Sequence, residues 1–143
     1  MMIASILDHK GEDVVTVQPN DTLHQACAIL AERKIGAVVI VNAARAVKGI
    51  LSERDIVRAI GAEGPAALEA HVSDHMTSNV VTCSPEESVL DVMGRMSAGR
   101  FRHVPVVKGG KLAGLVSIGD VVKVRIQQAE RDADEMRSYI LAS

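Results

Sequence analysis

Two serine–aspartate pairs are the residues of this chain best placed to do chemistry. They are Ser52 and Asp55 in G-I-L-S-E-R-D, and Ser117 and Asp120 in G-L-V-S-I-G-D. Each pair follows a run of β-formers and precedes a helical pattern, so each serine falls where a helix is capped. Backbone N–H groups left free at such a terminus, together with the helix dipole, favour an anion. The aspartate three residues on has two uses. It can reach back to the capping backbone, a variant of the capping box, or turn outward and accept hydrogen bonds from a diol such as ribose. One copy alone favours the structural use. Two copies inside a long repeat favour the second.

The nearby cations have a matching chemistry. Arg100, Arg102 and His103 lie just before an apolar strand, either as donors to a phosphate, with arginine offering a bidentate fork, or as a solvated strand entry. Arg54 stands between Ser52 and Asp55, where the second copy has Gly119. It can contact a phosphate or pair with Glu53 or Asp55 on the surface. Lys108 and Lys111 flank a turn and read as solvated. His71 and His75 have i, i+4 spacing, but the intervening Val-Ser-Asp reads as a helix ending and no cysteine is near, so no metal is expected. His9 and His75 occupy equivalent positions, a structural sign, and His24 falls on a helix exterior. No nucleophile–base pair stands out, and Asp55 and Asp120 lie on separate repeats, too far apart to act as a carboxylate pair. No catalytic residues are expected.

The elements that hold these groups read off in order. V-V-T-V at 14–17 is a short strand before Pro19, and Thr22-x-x-Gln25 opens a helix with Leu23, Ala26, Cys27 and Leu30 on one face. The apolar run at 37–41 is a buried strand, a second strand covers 47–51, and Ser52 starts a helix through Ile60 that Gly61 and Gly64-Pro65 end. Adding 66 to these numbers gives the text again: Asp74-His75, Val80-Val81-Thr82, Pro85, then Ser88-x-x-Asp91 and the face Val89, Val92, Met93 and Met96. The offset falls to 65 at the hairpin, where Gly109-Gly110 supplies the positive φ of a tight turn. Each half is too small to bury much core alone, so the two must pack together. Residues 66–72 bridge them through a short helical turn. Past Val124, Ile126, Ala129, Ala133, Met136 and Ile140 step as an apolar seam along one helix, a seam that should bury against the folded body or a second subunit.

Composition excludes several functions. The net charge of −2 sets up no global attraction for nucleic acid, and Phe101 and Tyr139 are the only Phe, Tyr or Trp, too few to stack bases. No apolar run approaches a membrane span, and the N-terminus lacks the basic region and cleavage site of a signal peptide, so a cytoplasmic setting is expected. Cys27 on a helix face and Cys83 inside a strand read as buried thiols in a reducing compartment.

D-H-M-T, V-V-T-x-x-P in both halves, G-R-F-R-H-V-P-V, and the duplicated G-[IL]-[LV]-S-x-x-D resemble a tandem pair of cystathionine-β-synthase (CBS) domains of the stand-alone bacterial kind. The resemblance runs from about Ile6 to Arg125. It implies an α/β fold of two β-α-β-β-α repeats at 6–62 and 72–126, packed sheet to sheet with pseudo-twofold symmetry, then a helical extension over 127–143. It also implies two clefts for adenosyl ligands: AMP, ADP, ATP, NAD(H) or S-adenosylmethionine. Asp55 and Asp120 would then hold ribose hydroxyls, with Ser52 and Ser117 beside phosphate or ribose. The backbone near Thr16, Ala37, Thr82 and Val104, with Ile35 and Pro105 beside it, would frame adenine. The family implies a regulatory sensor of adenylate or redox state that acts on a partner protein and pairs into a homodimer. No catalytic cofactor is implied. The alternatives are a structural dimerisation module with degenerate clefts and a small nucleotide hydrolase.

Comparing the copies predicts unequal clefts. Where the first half has Gly36-Ala37 the second has Arg102-His103. Arg102 and His103 are therefore expected to hold a compact mononucleotide such as AMP beside Asp120, while the roomier first cleft takes ATP or NAD(H) with Arg54 on a phosphate.

Overall fold

The computed structural model describes residues 1–142. Thr22 caps helix α2 (Leu23–Arg33): its hydroxyl accepts from the Gln25 N–H, and the Gln25 side chain accepts from the Thr22 N–H. Strand β1 (Thr16–Val17) runs parallel to β2 (Ala37–Val41), which pairs antiparallel with β3 (Val47–Ser52). Helix α3 (Glu53–Glu63) follows directly. The unbroken apolar run of β2 is buried along its whole length, as a strand covered on both faces requires. Gly61 sits inside α3 rather than ending it. The stop is Gly64, whose φ of +77° and N–H to the Ile60 carbonyl close the last turn.

The second repeat holds α5 (Val89–Gly99), the antiparallel pair β4 (His103–Lys108) and β5 (Lys111–Ser117), and α6 (Ile118–Ala142). Gly109 and Gly110 take φ of +59° and +75°, the expected tight hairpin. Its leading strand, expected to contain Cys83, is reduced to a single parallel bridge between Cys83 and Val106. Proline explains the loss. In the first repeat the Val39 N–H donates to the Val15 carbonyl, whereas the equivalent position is Pro105, which has no N–H to give Val81.

The leading helices cross over between repeats. α1 (Ile3–Lys10), for which the sequence reading assigned no element, buries Ile3, Ile6 and Leu7 among Val89, Met96, Val104 and Val116 of the second repeat. After the 3₁₀ turn Pro65–Glu69, the short α4 (Val72–His75) places Val72 among Leu23, Val38 and Leu51 of the first. Matching hydrogen bonds fix both crossings: Ala4 N–H to the Pro85 carbonyl, and Ser73 N–H to the Pro19 carbonyl, at 2.8 and 3.1 Å. The glycines of the duplicated motif make room for these segments. A Cβ on Gly114 would meet Leu7 at 2.6 Å, and one on Gly49 would strike Met76 and the Thr77 carbonyl. The two sheets meet through Val39, Val41 and Leu112. At their rim the Leu112 N–H donates to the Arg45 carbonyl at 2.9 Å.

Candidate functional site

β3 runs into α3 at Ser52, which caps the helix from an extended backbone. The Ser52 hydroxyl accepts from the Asp55 N–H at 3.3 Å, while Asp55 Oδ2 accepts from the Ser52 N–H at 2.8 Å and its hydroxyl at 3.1 Å. Among the described residues no hydrogen bond falls on Asp55 Oδ1. The two uses of this aspartate are therefore compatible: one oxygen caps the helix and the other is left to the cleft beside it.

That cleft, of about 360 Å³, lies between the repeats. Ser52, Glu53, Arg54 and Asp55 form one side, Gly36 and Ala37 the floor, and Arg100 to His103 the other side. The second repeat presents its residues there because α5 ends on Arg100 in the left-handed conformation, φ +58°, which turns the chain sharply into β4. Three arginines, Arg54, Arg100 and Arg102, and two carboxylate residues, Glu53 and Asp55, line it. Among the described residues no ion pair ties Arg54 to either carboxylate. The cleft has cationic donors to offer an anion.

A second cleft, of about 270 Å³, is related to the first by the repeat. Ile35, Gly36 and Ala37 line it from the first repeat, His103, Leu115 and Ser117 from the second, and Lys10, Asp13, Val14 and Val15 from the N-terminal segment. Asp120 accepts from the Ser117 N–H at 2.9 Å, and the Ser117 hydroxyl accepts from the Asp120 N–H at 3.2 Å, so this pair also caps its helix. Unlike Asp55, it is met by a cation. Lys10 Nζ donates to Asp120 Oδ2 at 2.6 Å and to the Leu115 carbonyl at 2.9 Å. Burial alone would raise the Asp120 pKa, but the hydrogen bond and charge of Lys10, with the Ser117 donors, bring it below the usual carboxylate value. Burial, reinforced by Lys10, pushes the His103 imidazole below its ordinary value against the opposing pull of Asp120. His103 is thus favoured as a neutral ring in the wall shared by the two clefts.

The expected division of the cations is corrected here. Arg54 and Arg102 share the Asp55 cleft, together with Arg100, and neither lines the second one. Residues 100–103 line the Asp55 cleft from the second repeat, so Arg102 stands in a cleft other than the one the position-by-position comparison gave it. The Asp55 cleft is the larger of the two, but Gly36 and Ala37 line both. Thr16, Thr82, Val104, Pro105 and Gly119 line neither. Val104 and Pro105 are buried in β4, and the Thr82 carbonyl accepts from Arg95 at 3.0 Å. Lys10, Thr77 and Phe101 are cleft residues that the sequence reading missed. The signal for Lys10 was its equivalence to Met76, a charge in one copy and a thioether in the other.

His71 precedes α4 and His75 ends it, so they share no continuous helix, and His75 Nε2 lies 3.4 Å from Glu63. Among the described residues no cluster of His, Cys, Asp or Glu suits a metal. Cys83 is buried as expected and its thiol is pushed up to about 11, chiefly by burial, whereas Cys27, expected to be buried, is only half-buried on its helix.

Two repeats that exchange leading helices and flank paired clefts define a tandem-domain module. The chain belongs to the CBS domain family, whose sequence pattern matches residues 6–62 and 72–126. It is similar to the CBS domain-containing protein CBSX3, mitochondrial, of Arabidopsis thaliana, at 32% identity over 96% of this chain and 71% of that one. Among solved structures it resembles a CBS-domain containing protein from Agrobacterium tumefaciens, 48% identical over 87% of this chain and 99% of that one, with a TM-score of 0.83. It also resembles the CBS domain pair of protein MJ0100 in complex with 5′-methylthioadenosine and S-adenosyl-L-methionine. That match has 25% identity over 90% of this chain and 98% of the other, with a TM-score of 0.80.

Proposed function

We propose that this chain is a regulatory module without catalysis of its own, which takes adenosyl nucleotides into the clefts between its CBS repeats and reports energy or redox state to a partner protein. The observation that carries this reading is Asp55. One of its oxygens caps α3 and the other is left to a cleft rimmed by Arg54, Arg100 and Arg102. A ribose diol on Asp55 would direct a 5′-phosphate toward those guanidinium groups, with the adenine over Gly36 and Ala37. AMP, ATP and NAD(H) all have the required diol and phosphate. The adenosyl ligands of the MJ0100 pair support the choice of base. A homodimer and a cytoplasmic setting belong to the same proposal. The exposed apolar residues of α6 support the dimer.

Equilibrium dialysis against AMP, ATP and NADH, with guanosine and cytidine monophosphates beside them, tests the reading. Saturable retention of at least one adenosyl nucleotide over the other bases is expected, with no turnover of ATP or NADH on long incubation. Equal retention of every base, or none at millimolar concentration, would overturn it.

A further inference from the structure

The two clefts differ in what covers their aspartates. Asp55 itself lines the first cleft, whereas in the second Asp120 is absent from the lining and Lys10 stands in its place. The Lys10 ammonium holds Asp120 Oδ2 at 2.6 Å and the Leu115 carbonyl at 2.9 Å. Its backbone is fixed, because Lys10 is the last residue of a helix whose Ile3, Ile6 and Leu7 are buried in the second core. Only its four-carbon stem is left to move, and the side chain is 39% exposed on the cleft side of a carboxylate that is 25% exposed. The repeat supplies the control. The residue equivalent to Lys10 is Met76, whose thioether packs against the first core near Gly49 and brings no charge to Asp55. The first cleft has three arginines of its own. In the second, Lys10 is the only Lys or Arg among the described lining residues, with Asp13 beside it and His103 favoured neutral.

We propose that Lys10 determines the specificity of the second cleft: its ammonium competes with an uncharged nucleoside for Asp120 and yields it to a phosphate-bearing one, whose phosphate it then holds. This rests on the adenosyl reading of the clefts. An uncharged nucleoside must share Asp120 with the ammonium, or displace it and leave Lys10 without a counter-charge. A nucleotide brings the replacement. The ammonium exchanges one charge-assisted partner for another, and the freed carboxylate accepts the ribose hydroxyls. Selectivity of this kind is a difference between two ligands and comes as much from the contact denied to one as from the contact given to the other.

The test is a titration of the isotopically labelled full chain with adenosine and with AMP, followed at the amides of Ser117 and Asp120, which report the second cleft, and of Ser52 and Asp55, which report the first. Wild type should favour AMP at the second cleft by about tenfold or more, the scale of one charge-assisted hydrogen bond. Lys10→Met, which copies the equivalent residue of the first repeat, should abolish that preference by tightening adenosine and weakening AMP. Lys10→Arg should retain it, and the first cleft should be unaffected in both. An AMP-to-adenosine ratio unchanged by Lys10→Met would overturn the role of Lys10. So would AMP shifts at Ser52 and Asp55 with no response at Ser117 and Asp120 in any variant. Silence at all four amides would overturn the adenosyl reading itself and Lys10 with it.

Discussion

Asp55 and Asp120 each direct Oδ2 to the backbone of the serine that caps their helix, so a change at either position acts on fold and ligand together. Arg54 and Arg102 are cleaner probes, being exposed and outside the core. A hydrogen bond to a charged group contributes about 1.5–3 kcal/mol, so Arg54→Ala and Arg102→Ala should each weaken AMP at the Asp55 cleft by about tenfold or more. Amide shifts should place both losses in that one cleft. A loss divided between the two clefts would restore the assignment that the sequence comparison suggested. The glycines give a pair of opposite stability predictions. Gly49→Ala drives a methyl into Met76 and the Thr77 carbonyl and should cost about 1–3 kcal/mol. Gly61→Ala meets nothing within 4 Å inside α3 and should stabilise by about 0.5–1 kcal/mol. Chemical denaturation of both variants measures the two effects. The capping role and the binding role of Ser-x-x-Asp were not separable in the sequence, because both need the same residues at the same spacing. The free Oδ1 is a fact of three dimensions.

Among the elements, α2, β2 and α3 were legible because each announces itself locally, by a capping box, an apolar run or a serine before a periodic stripe. The leading strand of the second repeat misled because V-V-T-C has β propensity, while the N–H it needed was deleted by a proline more than twenty residues away, Pro105. α1 was illegible for another reason: only eight residues long and without a side-chain cap, it is held by a core it borrows from the other repeat. The apolar seam of α6 is present as a stripe, and its Ile126 and Met136 are 54% and 60% exposed. Of the two destinations expected for it, the proposed dimer takes the second subunit. Deleting residues 127–143 should leave the melting temperature of the remaining domain nearly unchanged and shift sedimentation to a smaller species. A truncated chain that sediments like the parent, after allowance for mass, would remove the seam from the proposed dimer.

At the scale of the whole molecule, the crossed leading helices and the common wall of Gly36, Ala37 and His103 make the clefts two sides of one structure. His103 of the wall and Asp120 beside it should give the molecule an acid response. Asp120 and His103 both have folded-state pKa values below their ordinary ones, so between the folded and unfolded values the unfolded chain binds more protons. Each contributes stability that is complete above its unfolded pKa and is lost as pH falls toward its folded pKa. The first loss, from His103, should begin as pH drops through the usual imidazole range, and the second, from Asp120, as it drops through the usual carboxylate range. Lys10→Met removes the cation that depresses the Asp120 pKa and should flatten the second loss in a melting series across pH. A wild-type melting temperature independent of pH over both ranges would contradict this account of the wall. The central claim is that the Asp55 cleft holds an adenosyl nucleotide by its ribose, and calorimetric titration of AMP into wild type and Asp55→Ala tests it most directly, with circular dichroism to show that the variant is folded. Asp55→Ala should weaken AMP at that site by about tenfold or more. A folded Asp55→Ala chain with the wild-type isotherm would contradict the claim.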